Sequence, residues 1–332
     1  MSSILDVTFL SVLVLAAVAA AAAEAPGNGV QPQRPARFSE QGTDKDGFIT
    51  YTIASPRQAK PTKLRILLPD AAEKSTGADK SASKKAPSRI LYVLPVEAGE
   101  GNRYGDGLAE VRKLGLHNRY RLICVEPTFS ALPWYADHPT DPNCRQESYL
   151  IRDVLPFVER TFHIPDDPNC RLLVGFSKSG WGAWSLLLRH PDIFARAAAW
   201  DAPLVETSPA KYGMKDIFAS QDNFEKYRIT ALLAAAAEAT AAPGTNAAPG
   251  APAGTAPAAH ATQFLGRPAR LALHGYGNFR AQHQAVHELM TNLQIPHDYR
   301  DGPARKHHWS SGWLPDAVEF VAGPSPTTPA QP

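Results

Sequence analysis

The sequence predicts an α/β fold with a mostly parallel central sheet and helices on both faces. Two observations carry that expectation. Short continuous apolar runs recur, as strands buried on both faces require: RILYVLPV (89–96), YRLICVEP (120–127) and RLLVGF (171–176). Stretches with helical spacing lie between and after them, and repeated strand–helix units favour parallel pairing.

The elements follow in order. GFITYTI (47–53) and KLRILLP (63–69) read as an antiparallel β pair, and LAEVRKLG (108–115) as a helix. QESYLIRDVLPFVERTF (146–162) reads as a longer helix that Pro156 bends. KSGWGAWSLLLRH (178–190) is a helix directly after the third buried run. FARAAAW (194–200), RLALHG (270–275) and HDYRDG (297–302) are further strands. RAQHQAVHELMTNLQ (280–294) and SGWLPDAVEFVA (311–322) are the last helices. TDKDGFITY (43–51) echoes a calcium loop, but Gly42 and Ile53 stand where its first and last carboxylates belong. A hairpin turn is the better reading.

Between these elements the composition changes. Residues 8–23, TFLSVLVLAAVAAAAA, form an apolar run closed by Ala21-Ala22-Ala23. This reads as a signal peptide over 1–23, although Asp6 and no basic residue precedes the run. The expectation is a secreted or periplasmic protein with no stable membrane insertion after cleavage. No Cys follows the run to carry a lipid. Residues 24–46 are expected to be flexible, and 70–88, 233–262 and 324–332 to be unstructured, because they offer little apolar surface to bury. A single domain then spans 47–323.

Composition excludes several classes. Lys+Arg 34 against Asp+Glu 32 leaves a net +2, with no basic stripe for nucleic acid. Three Cys rule out a disulfide scaffold and a four-cysteine zinc site. Cys124 lies within a strand and is expected to be a buried thiol. Cys144 and Cys170 sit in the repeated DPNCR on loops, and export would permit a bridge between them.

The strongest chemical signal is RLLVGFSKSGWGA. A buried strand runs into a helix, and Ser177 stands at the turn with Gly175 two residues before it. That setting lifts a serine hydroxyl clear of the sheet as a nucleophile. The bland alternative is a helix-capping serine. Ser179 occupies the place of a second glycine, and its own neighbours Ser177 and Trp181 make it a poorer nucleophile. A serine nucleophile needs a base and an oxyanion site. The Lys178 amide is one donor, and the Gly-rich loop PVEAGEGNRYGDG supplies a second from Val96 or Glu97. ARKHHWSSGWL offers His307 and His308 as base, after the last strand. Two residues compete to orient that base. Asp201 ends the strand adjacent to the serine turn, and Asn278 follows the next strand. The carboxylate is preferred, because an amide stabilises an imidazolium weakly.

GFSKSG, PTFSALPWYADHP, RQESYLIRDVLPFVE, WDAPL and HHWSSGW together resemble the esterase D-like family, which includes feruloyl and acetylxylan esterases. The resemblance spans about residues 88–322. It implies the α/β-hydrolase fold and hydrolysis of a carboxylic ester through an acyl-enzyme, without metal or organic cofactor. The nucleophile carries over to Ser177 and the base to His307, two residues before Trp309. The family's acid position falls on Asn278 and the second elbow glycine on Ser179. The implied substrate is a small-molecule or carbohydrate ester. Trp134, Trp181 and Trp309, with Tyr135 and Trp313, are candidates for its pocket. Two other readings share the fold: a relative without turnover that binds carbohydrate, and a serine peptidase.

Overall fold

The computed structural model describes residues 34–70, 89–241 and 268–323. The expected signal peptide over 1–23, residues 24–33, 71–88 and 242–267, and the tail 324–332 lie outside the described residues. Among the described residues no helix is long and apolar enough to cross a membrane.

The chain opens with three antiparallel strands, β1 (Arg37–Thr43), β2 (Phe48–Ala54) and β3 (Thr62–Leu67). Asp44 Oδ1 accepts the amides of Asp46 and Phe48, so TDKDG is a hairpin turn, as its pattern implied. β1 corrects the expectation of a flexible 24–46. Its side chains are mostly exposed, so the sequence shows no apolar signal, yet its backbone pairs with β2 from Arg37 to Thr43.

The α/β part follows: β4 (Ile90–Val93), α1 (Gly107–Lys113), α2 (Leu116–Arg119) and β5 (Ile123–Pro127). Next come α3 (Gln146–Tyr149), a π-helical turn (Leu150–Val154) and α4 (Leu155–Phe162). Then follow β6 (Arg171–Phe176), α5 (Ser177–Arg189) and β7 (Arg196–Trp200). α6 (Lys215–Phe218), α7 (Gln221–Glu225) and α8 (Ile229–Ala241) lie between β7 and β8 (Leu271–Tyr276). α9 (Arg280–Asn292), β9 (His297–Ala304) and α10 (Leu314–Ala322) complete the domain.

The strands form one sheet in the order β1-β2-β3-β5-β4-β6-β7-β8-β9. β3 meets β5 antiparallel, and every pair beyond it is parallel. The central strands alternate between two cores. Ile90 and Tyr92 of β4 point to the face covered by α4, α5, α8 and α9, and Leu91 and Val93 to the face covered by α1, α2 and α10. This two-sided burial explains the unbroken apolar runs. Two further expectations need correction. α8 runs through the first residues of the 233–262 stretch, with Leu233 and Ala236 buried. Ala-rich sequence suits a helix, and packing supplies what its low polarity hides. The bend in 146–162 is a π-helical widening just ahead of Pro156, which stands in the first turn of α4. The widening makes room for a proline ring that would otherwise strike the carbonyl four residues earlier.

The three cysteines are free thiols. Cys124 is fully buried, as expected, and burial pushes its thiol pKa up. Cys144 precedes α3 and Cys170 follows α4, and neither is bridged.

β5 ends on a buried carboxyl group. Glu126 Oε1 accepts from Arg65 Nη1 at 3.0 Å, and the same nitrogen donates to Asp106 Oδ2 at 2.7 Å. Burial pushes the Glu126 pKa to about 7 despite the guanidinium, and Asp106 adds to the rise. A carboxyl group whose folded pKa exceeds its unfolded value stabilises below the unfolded pKa and loses that contribution as pH rises through the folded one. The urea midpoint of the wild type should therefore fall, relative to Glu126→Gln, between pH 5 and 8. The slope should be at most about 1.4 kcal/mol per pH unit. Parallel pH profiles for the two proteins would sink this reading.

Candidate active site

The site lies at the carboxyl ends of β4, β6, β7 and β8, where an open α/β sheet gathers its ligand-binding groups. β6 ends at Phe176 and α5 begins at Ser177, whose φ is +52°. A left-handed residue with a side chain costs on the order of 1 kcal/mol. The surroundings hold it there. Ser179 Oγ accepts the Phe176 amide at 3.1 Å and donates to the Phe176 carbonyl at 2.9 Å. The Ser177 amide donates to the Asp201 carbonyl at 3.2 Å. A Cβ on Gly175 would collide with the Ser179 backbone, so this glycine is a steric requirement. Gly180 faces Ala199 and Ala202 across the strand–helix junction. Ser179 thus takes the second-glycine place by turning its hydroxyl onto the elbow backbone. The capping alternative for Ser177 does not hold: the residue that closes this helix start is Ser179.

Asp201 follows β7 and is fully buried, with φ +42°. Its Oδ2 lies 2.5 Å from His307 Nδ1. Its Oδ1 accepts the amides of Asn278 and Phe279, each at 2.7 Å. Burial alone would raise the carboxyl pKa. The hydrogen bond from His307 and those from the Gly277, Asn278 and Phe279 amides outweigh burial and hold it below the usual value. Of the two competitors for the base, Asp201 therefore meets it, and Asn278 contributes its main chain. With Nδ1 bonded to the carboxylate, Nε2 is the nitrogen of His307 left for proton transfer.

His307 is walled by aromatic rings. Phe176 stands at 5.0 Å, Tyr104 edge-on at 5.4 Å, Phe279 at 6.1 Å and Trp200 at 6.2 Å between centroids. His308 has another role. Its Nδ1 meets Ser310 Oγ at 2.8 Å, and its carbonyl accepts from Trp313 Nε1. His283 is buried in the neutral form: burial lowers its pKa to about 4, and its Nε2 accepts the Ala202 amide at 2.8 Å.

The second wall is the loop after β4. Lys178 is the second residue of α5, in the first turn, where amides lack intrahelical partners. Val96 and Glu97 lie on the facing loop, and the Glu97 carboxylate acts electrostatically on the Lys178 ammonium. Tyr135 Oη donates to the Pro95 carbonyl at 2.6 Å and so pins the loop that carries both. Sequence reasoning placed Tyr135 only among the pocket candidates. Its positioning role depends on Gln146, whose Oε1 accepts the Trp134 and Tyr135 amides. The Tyr135 ring also lies on Gly182 of α5, where a Cβ would fall inside the ring. Gly182→Ala should cost about 1–3 kcal/mol of stability through overpacking. It should also lower turnover by displacing the 95–97 loop. An unchanged melting curve and unchanged turnover would refute both.

The tryptophans require correction. Trp134 and Trp181 are buried and pack edge-on at 5.6 Å, with Trp134 Nε1 donating to the Tyr212 carbonyl. Trp309 is buried against Phe176 and Trp313. Trp134 and Trp181 therefore offer a substrate no open face, whereas Trp309 keeps an edge on the cavity lined by Val96, Gly105 and Glu126. Sequence reasoning missed Tyr104 of the Gly-rich loop, which stands edge-on to His307, and the side chains of Arg103 and Lys178, which lie near its ring. Among the described residues no group of three His, Cys, Asp or Glu side chains could hold a metal ion.

Solved structures share this architecture. A ferulic acid esterase superposes with a TM-score of 0.55 at 18% identity, over 86% of this chain and 98% of that one. An S-formylglutathione hydrolase from Staphylococcus aureus gives 0.58 at 14% identity, over 83% and 99%. Another from Agrobacterium tumefaciens gives 0.55 at 13%, over 86% and 97%. At these identities the likeness establishes the α/β-hydrolase fold. No curated protein matches the chain. The model of the family described as "Putative esterase" matches residues 131–315, more than half of the chain, from the loop before α3 to the start of α10. With that match the chain belongs to this esterase family, as a serine carboxylic-ester hydrolase of the α/β-hydrolase fold.

Proposed function

We propose that the protein is an exported serine esterase that works through Ser177, His307 and Asp201. The observation that carries the reading is the bond from His307 Nδ1 to the buried Asp201 carboxylate, beside a serine held at positive φ. Ser177 Oγ attacks the ester carbonyl while His307 Nε2 takes its proton. The Lys178 amide, with that of Val96 or Glu97, stabilises the oxyanion. The ester C–O bond breaks, and His307 returns the proton to the leaving alcohol. Water then repeats the sequence on the acyl-enzyme. The acidified Asp201 stays ionised throughout and stabilises the imidazolium. Export rests on the apolar run 8–23 and its Ala-rich end.

Labelling with a fluorophosphonate probe tests the chemistry. Attachment to Ser177, with turnover of p-nitrophenyl acetate and none of a peptide anilide, is expected. An unlabelled, inactive protein would mean a relative without turnover, and preferred anilide cleavage would mean a peptidase. A mature N-terminus at Glu24 in the culture fluid or periplasm is expected, and a full-length cytoplasmic chain would refute export.

A further inference from the structure

The rim of the site carries two cations that the mechanism does not use. Arg103 Cζ lies 5.2 Å from the centroid of the Tyr104 ring, and Lys178 Nζ lies 6.0 Å from the same centroid. That ring stands edge-on to His307. Arg103 is exposed and Lys178 partly buried. Among the described residues neither forms a salt bridge. The acid that acts on Lys178 is Glu97, which offsets part of its charge, while Arg103 repels it. Glu97 Oε2 is itself buried without a hydrogen-bond partner. The cluster therefore has two cations and one carboxylate, a net +1 beside the base. An anion placed between the two cations would relieve their mutual repulsion.

The position says which half of the substrate this is. His307 hands its proton to the leaving oxygen, so the leaving group must lie against its ring. Tyr104 stands edge-on to the same ring, so an alcohol portion held against His307 comes within reach of its two cations. Resting on the esterase reading above, we propose that the preferred substrate is an ester whose alcohol portion carries a carboxylate, and that Arg103 and Lys178 recognise it. An ammonium supplies a point charge, and a guanidinium supplies a planar fork matched to carboxylate geometry. The reaction is unchanged: the acyl group passes to Ser177 Oγ, and the proton from Ser177 leaves with the carboxylated alcohol.

Two isosteric esters test the proposal. 4-Acetoxybenzoate and 4-acetoxybenzamide differ in the charge of the leaving group, and p-nitrophenyl acetate serves as a neutral reference. The ratio of kcat/KM for benzoate over benzamide should be about tenfold in the wild type at low salt, and should fall as ionic strength rises. Arg103→Gln and Lys178→Gln should each lower that ratio several-fold, and the double variant should bring it close to one. Lys178→Gln keeps the backbone amide, and Arg103 is a surface residue, so both proteins should fold. Competitive inhibition by 4-hydroxybenzoate should weaken in parallel. Hydrolysis of p-nitrophenyl acetate with a benzoate-to-benzamide ratio near one, or a ratio the substitutions leave unchanged, overturns the proposal and leaves the esterase reading standing. Absence of turnover of all three esters overturns both.

Discussion

Ser177→Ala should lower kcat/KM for p-nitrophenyl acetate by on the order of 10⁴-fold or more, with the fold intact. The nucleophile has no substitute at the elbow. Ser179, the other hydroxyl, is fully buried and engaged with both backbone groups of Phe176. It cannot reach an ester without undoing the turn. Alanine at position 177 keeps the positive φ of that residue and loses only the oxygen, so the melting temperature should change little. Activity above a small fraction of wild type, on protein free of contaminating esterase, would place the nucleophile elsewhere.

Asp201→Asn should lower kcat by about 10⁴-fold. An amide at this position can present its NH₂ to His307 Nδ1, which selects the wrong tautomer. It also removes the charge that faces the imidazolium in a largely dry pocket. The substitution should be costly in a second way, because the carboxylate accepts the Asn278 and Phe279 amides. Asn278→Ala provides the contrast. Its main-chain amide reaches Asp201 and survives the change, so kcat should stay near wild type. A neutral Asp201→Asn, with activity raised by Asn278→Asp, would move the acid to the loop after β8. Michaelis–Menten measurements on the three proteins distinguish these cases.

The sequence carried the site better than its surroundings. β4, β5 and β6 were legible because strands buried on both faces must be apolar throughout. Ser177, Asp201 and His307 stood out because a nucleophile, an acid and a base would need those residue types at strand ends, and the structure bonds His307 to Asp201 and holds Ser177 at positive φ. β1 was not legible, since its stability comes from backbone pairing to β2, which leaves no trace in its exposed side chains. α8 was hidden by an Ala-rich composition that continues into a Pro/Gly tract. The tryptophans misled because a large ring serves a core and a binding face equally well, and only burial separates the two. Arg103 and Lys178 were overlooked as ordinary charges, because what singles them out is a shared ring 74 residues from one of them in sequence.

The Asp201 carboxylate also has a bearing on how such a chain evolves. It fastens the turn after β8 to the end of β7, and thereby fixes where the chain re-enters the site. Between those two points the chain runs through α6 to α8, the 242–267 stretch of the sequence and β8. Closing a longer loop costs only slightly more than closing a shorter one. Insertions and losses in the 242–267 stretch of the sequence should therefore leave the bond between His307 and Asp201 in register. The same latitude is open to the protein engineer. A foreign module spliced into this stretch should inherit a working hydrolase, with the carboxylate acting as the fixed stitch on either side of the graft.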